Sequence, residues 1–393
     1  LKLINARTIK IEEFNESAIP HYGILSHTWE DREILFQEID LPGIESNNGY
    51  DKIEKACQLA IRKRLNYVWV DTCCIDKSSS SELSEAINSM FRWYMKSDIC
   101  FVYLSDLGEG VPTECGLEHC KWFTRGWTLQ ELIAPSNLEF YDAAWNVRGT
   151  KRGLEETLHQ ITGIDKNVLR NSDLLNNIPV AKKMSWAASR QTTRTEDLAY
   201  CLLGIFDVNM PLIYGEGCKS FLRLQEEVVK TTHDLTIFGW KSSNPTKQEY
   251  RGILASTPHE FASSPEQRIN NLRLQPKMLD PLQGEFSVTN RGVRITSRLL
   301  CAPSNPDVYI LPLRYHGLNY DSANSQMGIY LRKLEPILLL ELCRALFTQL
   351  ILKFLTKEQK SELSTLRRRS LQICATQYTA FDVLQSSFTF IMI

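Results

Sequence analysis

An α/β fold built on a parallel sheet is the class this sequence predicts, and three observations predict it. Strand-like apolar runs alternate with helix-like segments over residues 1–145. Each apolar run stops abruptly at polar residues. The composition, 43% hydrophobic and 23% charged over 393 residues, is that of an ordinary globular chain with room for about two or three domains.

The first run, YGILSHTW at residues 22–29, reads as a buried strand ending in Ser26, His27 and Trp29. A helix follows at 51–64, where Ile53, Ala56, Cys57, Ala60 and Ile61 recur at the spacing of one helical face. Tyr67–Val70 is a second strand, closed by Asp71, Cys73, Cys74 and Asp76. A second helix spans about 80–96, with Ser81 as its expected N-cap. ICFVYL at 99–104 makes a third strand ending at Ser105 and Asp106. The segment KWFTRGWTLQELIAP at 121–135 suits a helix from Thr128 to Ala134, with Pro135 as its stop. On such a helix Trp127 and Glu131 are four residues apart and lie side by side. Leu138–Tyr141 adds a fourth strand.

Helices on both faces of this sheet follow from the alternation. Ligands of such sheets bind at the carboxyl ends of the strands. The polar residues there, Ser26, His27, Trp29, Asp71, Cys74 and Asp76, are expected to converge with Arg125, Trp127 and Glu131. Taken singly, each also has a plain structural use. Asp71 suits a turn cap, the cysteines suit a core, and Glu131 suits a helix surface.

Charge and cysteines narrow the classes. A net charge of −1 gives no electrostatic case for nucleic acid. The eleven cysteines include no CxxC pair, and Cys115, His119 and Cys120 are only a loose cluster, so no metal is expected. Reduced thiols in a cytoplasmic protein account for them. The opening LKLINARTIKIEEF has no continuous apolar run of the signal-peptide kind.

Three motifs carry a family resemblance. They are Tyr22 to Trp29, then Tyr67 to Lys77 (YVWVDTCCIDK), then Trp122 to Leu132 (WFTRGWTLQEL). In this order they resemble the fungal heterokaryon incompatibility (HET) domain family, in which Gly commonly follows the Trp of the first motif. Here Glu30 stands in that place, adding charge beside the expected site. The resemblance implies a role in non-self recognition and regulated cell death. HET domains also look like remote relatives of TIR domains, whose sheet is flavodoxin-like. In TIR enzymes that cleave NAD the essential glutamate lies on the helix after the third strand, within Trp-Cys-x-x-Glu-Leu. Trp127 to Leu132 is similar to that motif and implies a catalytic Glu131. Trp127 or Trp29 would then stack on a flat ring, and Arg125 would meet the pyrophosphate. Ser26, His27 and Asp71 would line the mouth of the pocket. NAD is a substrate candidate, and no cofactor is otherwise implied. The rival expectation is a signalling module without catalysis, acting by self-association or by docking a protein partner. It draws on Trp122, Phe123 and Trp127 as an exposed aromatic hot spot.

Beyond residue 145 the texture changes. Residues 146–245 read as a helical region of the kind that often follows the HET core, including RQTTRTEDLAYCLLGIF. Its Gly215–Ser220 loop lacks the GxxxxGK[ST] spacing of a phosphate loop. Residues 246–334 read as a small antiparallel sheet with a hairpin around Asn290-Arg291-Gly292. Residues 335–393 open on PILLLELCRALFTQLILKFL, an amphipathic helix too interrupted for a membrane span. A poorly ordered tail follows. The tail departs from the family texture and suggests a frame change or a mispredicted splice.

Overall fold

A computed structural model of the protein describes residues 1–47, 49–242 and 252–262, followed by the strands of a second sheet. The chain divides into two compact units. One comprises Leu1–Ile178 and Trp186–Leu224, the other Pro179–Ser185 and Gln225–Ile393. The first unit thus ends far beyond the expected boundary at residue 145.

The first unit is mixed α/β around a seven-stranded sheet. Its strands are β1 (Lys2–Asn5), β2 (Ile11–Glu13), β3 (Tyr22–His27), β4 (Tyr67–Trp69), β5 (Ile99–Tyr103), β6 (Leu138–Tyr141) and β7 (Val147–Thr150), in the order β2-β1-β4-β3-β5-β6-β7. The four expected strands form its parallel centre, because β3 pairs in parallel with β4 and β5, and β5 with β6. All six residues of β3 are buried, as a central strand covered on both faces requires. The antiparallel strands β1, β2 and β7 complete the two edges. From β3 the chain steps outward to β4 and then returns to pair β5 on the other side. The strand order therefore reverses between β3 and β5.

Helix α1 (Tyr50–Arg62) buries Ile53, Ala56, Cys57 and Ala60 as expected, but Leu59 rather than Ile61 completes the face, and Ile61 is exposed. In α2 (Ser80–Lys96) the N-cap is Ser79, not Ser81. Its hydroxyl accepts from the Glu82 N–H at 3.3 Å. Four consecutive serines offered a choice of cap. Glu82 decides it, since its carboxylate accepts from the Asp76 N–H and from Lys2. After the short α3 (Thr113–Gly116) and a 3-10 turn over Lys121–Thr124 comes α4 (Thr128–Ile133), whose six residues are all buried. Successive strand residues point to opposite faces. Tyr22 and Ser26 of β3 meet α2 and α4, while His27 is joined through Glu33 to Lys52 of α1, so helices cover both faces.

The segment after Trp186 is part of this unit. Gln191 exchanges backbone hydrogen bonds with Thr124 and Gly126 at 2.7 and 2.8 Å. The buried Arg190 donates to the Arg125 carbonyl at 2.8 Å and to Thr128 Oγ1 at 2.9 Å. These bonds strap the QTTRTED segment onto the start of α4.

In the second unit Trp240, Phe238 and Phe261 are fully buried, and Gln225 exchanges two hydrogen bonds with the backbone of Ala255. Its sheet runs β10-β11-β12-β13-β14-β9-β8, from β8 (Phe286–Thr289), β9 (Gly292–Ser297), β10 (Leu300–Cys301), β11 (Val308–Pro312), β12 (Gly328–Leu334), β13 (Leu339–Leu342) and β14 (Phe388–Met392). The expected hairpin is present as β8 and β9. Leu339–Leu342 differs from expectation, being a strand rather than the start of a helix. A short apolar run fits both periods, and pairing with β12 decides between them. The tail also supplies β14, which lies between β13 and β9. The rest of the expected helix and tail lies outside the described residues.

The strap predicts a mutational effect. A Cβ at Gly126 would sit 2.5 Å from Thr192 Cγ2 and 3.2 Å from Cys201 Sγ. Gly126→Ala is expected to lower the stability of the first unit by about 1–3 kcal/mol, read from urea unfolding.

Candidate functional site at the carboxyl end of β3

Glu131 is the centre of the first cluster. It is buried on α4, and its Oε2 accepts from Ser26 Oγ at 2.5 Å. Ser26 Oγ in turn accepts from Trp122 Nε1 at 2.8 Å. Burial is the main cause that pushes the Glu131 carboxyl up to about 7. The negative charge of Asp71 adds to it, while hydrogen bonds from Ser26 and Tyr94 and the charge of His27 oppose it. An acid so placed is available in either protonation state near neutrality, which is what a proton-transfer group needs. Two cationic side chains hold its helix. Arg190 binds the N-terminal end through Thr128, and Lys151 Nζ donates to the carbonyls of Ile133 and Pro135 at 2.9 and 2.8 Å.

A second cluster lies on the other face of β3. His27 Nε2 is 3.3 Å from Glu33 Oε2, and its Nδ1 is 4.0 Å from Asp71 Oδ1. Lys52 pairs with both Glu33 and Glu30, at 2.6 and 2.7 Å. Burial alone would raise the Glu33 carboxyl, but hydrogen bonds and charge from His27 and Lys52 hold it down to about 2. The charge that Glu30 brings to the loop is therefore answered by Lys52. Asp71 Oδ2 accepts from Trp29 Nε1 at 2.8 Å, and Lys77 lies over the Trp29 ring.

The expected site residues thus sort into two groups rather than one. Ser26 and Glu131 are in direct contact. His27, Asp71 and Trp29 form the facing group, and the charges of Asp71 and His27 act on Glu131 across the strand end. The remaining four have other work. Cys74 is buried in the turn after β4, where its sulfur accepts from the Val70 N–H. Asp76 closes an Asx turn onto Ser78 and binds Gln37. Trp127 Nε1 donates to Asp197 at 3.3 Å, away from Glu131. Arg125 is extended, outside α4, and it meets Arg190 through its carbonyl. Among the described residues, no hydrogen bond of its guanidinium joins either cluster.

Several participants were not anticipated. Lys52, Glu33 and Tyr94 come from segments that carry no motif of their own, and Arg190 opens the RQTTRTED segment, which gave no sign of reaching α4. Trp122 was expected on the surface, yet Trp122 is fully buried and Phe123 is 5% exposed, both packed against Phe140. The exposed aromatic hot spot at these two residues is therefore absent. In the Gly215–Ser220 loop, the Glu196 carboxylate accepts from the Gly215 and Gly217 N–H groups, using the donors a phosphate would need. Cys120 is buried, whereas His119 is exposed beside Glu118, so the loose cysteine–histidine cluster does not close. Among the described residues no helix is long and apolar enough to cross a membrane.

Comparison with known proteins bears on the segment that holds β3 to α3. Residues 22–115 match the family model described as Heterokaryon incompatibility protein (HET). The chain carries a HET domain. It is also 47% identical over 222 residues to "Vegetative incompatibility protein HET-E-1" of Podospora anserina, an alignment that takes in 54% of this chain. The chain spans 16% of the length of that curated relative. No solved structure matches it. The HET match stops before α4, so Glu131 lies beyond the residues that the family model aligns.

Two pH effects on stability follow. Because folding raises the Glu131 carboxyl from 4.5 to about 7, the fold loses stability as pH rises through that window. Glu131→Gln removes the penalty. The variant is expected to match wild type near pH 4 and to exceed it by up to about 3 kcal/mol at pH 8 in urea unfolding. Glu33 has the opposite sign, with stability present above 4.5 and lost as pH falls toward 2. Glu33→Gln is expected to cost about 3 kcal/mol at pH 7, a deficit that shrinks steadily as the pH is lowered below 4.5.

Proposed function

We propose that this HET domain serves heterokaryon incompatibility, in non-self recognition that leads to regulated cell death. We propose further that it acts by TIR-like cleavage of the nicotinamide–ribose bond of NAD in the cytoplasm. The observation that carries this reading is the buried, near-neutral Glu131 beside Ser26 at the strand end. The order β4-β3-β5-β6 of the parallel strands supports it, since this is the flavodoxin-like order, with its ligand crevice expected between β3 and β5.

In this mechanism the bond from the ribose C1′ to the pyridinium nitrogen breaks, and its electron pair leaves with neutral nicotinamide. The ionised Glu131 faces the oxocarbenium-like carbon that forms, and a fixed carboxylate favours that developing charge. Water then adds to C1′ and gives up its proton to Glu131, while His27 lines the mouth of the site. Asp71 and Trp29 hold the substrate at the mouth of the site. Self-association enters as a condition for assembly of the active form. A purely adaptor role, in which assembly or partner docking alone gives the signal, has lost its aromatic surface at Trp122 and Phe123.

NAD loss should be followed over time with the full chain, wild type against Glu131→Gln. The expected result is consumption by wild type and a fall of roughly 10²–10⁴-fold in the folded variant. The wild-type rate should drop as pH falls below about 7, where the carboxylate is protonated. Equal rates in the two proteins, or no consumption by wild type even when it is clustered, would favour the adaptor reading.

A further inference from the structure

Lys77 is left unused by the cleavage chemistry. Its ammonium lies 3.6 Å from the centroid of the Trp29 ring. The nitrogen is buried, and among the described residues it has no hydrogen-bond partner. Asp71 and Glu33 favour its charge from a distance, while burial opposes it. An ammonium is a compact, strongly hydrated charge with three donors, and leaving those donors unanswered is costly. Trp29 is differently placed. It is 43% exposed, with its N–H fixed on Asp71 Oδ2.

The niche therefore supplies an aromatic face and nearby carboxylates, which any cation favours. It withholds the directed acceptors that an ammonium in particular needs. A flat cation with its charge spread over a ring and no N–H on the charged atom suits it better. Asp71 also acts on Glu131, so one carboxylate links this niche electrostatically to the acid of the reacting centre.

We propose that Lys77 is a displaceable occupant of a recognition niche for an aromatic cation, the pyridinium ring of an oxidised nicotinamide dinucleotide. The proposal rests on the cleavage reading and adds to it a residue that sets specificity. The ring takes the place of the ammonium on Trp29, and Lys77, released from the indole, becomes free to meet an anionic group of the ligand. The reduced dinucleotide, whose ring is uncharged, gains no such exchange.

The test is a binding titration of the full chain with 1-methylnicotinamide, a pyridinium that lacks ribose and phosphate, and with uncharged nicotinamide as the control. Lys77→Met removes the competing cation and keeps an apolar stem. It is expected to tighten 1-methylnicotinamide binding by roughly tenfold. Lys77→Arg puts a better-stacking cation on Trp29 and is expected to weaken it. Nicotinamide should bind more weakly throughout and respond little to either change. A misfolded site would shift both variants in one direction, so opposite shifts identify competition. No binding of 1-methylnicotinamide, equal binding of the two probes, or parallel shifts in the two variants would overturn the proposal. Glu131-dependent NAD loss alongside any of those results would leave the cleavage reading standing. Opposite shifts without NAD loss would do the reverse.

Discussion

One buried acid sets the terms for the rest of the first unit. Glu131 reaches β3 through Ser26, and Ser26 holds the indole of Trp122. A carboxyl group in so dry a place needs every partner it has, because each unmade hydrogen bond there would cost more than it would at the surface. The protein answers by fixing α4 at both ends. Lys151 takes the last carbonyls, and Arg190 takes Thr128 and the carbonyl of Arg125. Burial also pulls the Lys151 ammonium down to about 7, so the clamp is itself held away from water. The strap from residues 190–191 explains why the compact unit runs past the fourth parallel strand. Without that segment, Arg190 could not reach α4.

On the opposite side of β3, charge is handled by pairing rather than by neutralisation. Glu33 stays ionised because it has both His27 and Lys52. Two carboxyl groups lie close to the same strand end, then, both pushed up by burial but shifted in opposite directions overall by their partners. Glu33 has cations in contact. Glu131 has the hydroxyls of Ser26 and Tyr94, and the charge of Asp71 works against it. Environments that drive two acids apart in this way are typical of sites where proton transfer matters.

The parallel centre of the sheet was legible because its strands are continuous apolar runs that stop at polar residues. The rule that ligands gather at such ends picked out Ser26, His27 and Asp71, of which His27 and Asp71 come within 4.0 Å while Ser26 faces Glu131 instead. Glu131 was legible only through its likeness to a TIR motif, since its helical spacing alone equally suits a surface residue. The edges were not legible. KLIN, IEE and VRGT are too short to show a period, and they become strands only because a neighbour offers unpaired backbone. Nor does anything around Lys52 announce that its ammonium folds back onto Glu33. That contact depends on the path of the loop between β3 and α1, which no local pattern encodes. Trp122 and Phe123 misled because large aromatic side chains serve an interface and a core equally well, next to exposed Lys121 and Thr124. A 3-10 turn buries both rings while leaving those two neighbours outside.

The second sheet poses a different problem, one of timing. β14 sits in its interior, between β13 and β9, although it follows all the other described strands in the sequence. Without Phe388–Met392 the order falls into a four-stranded piece, β10 to β13, and a lone hairpin, β8 and β9. On a ribosome both pieces therefore wait with unpaired edges until residue 392 has emerged. Such edges invite pairing with other chains. The cell would need to shield this sheet for longer than that of the first unit, which has all its strands by Thr150.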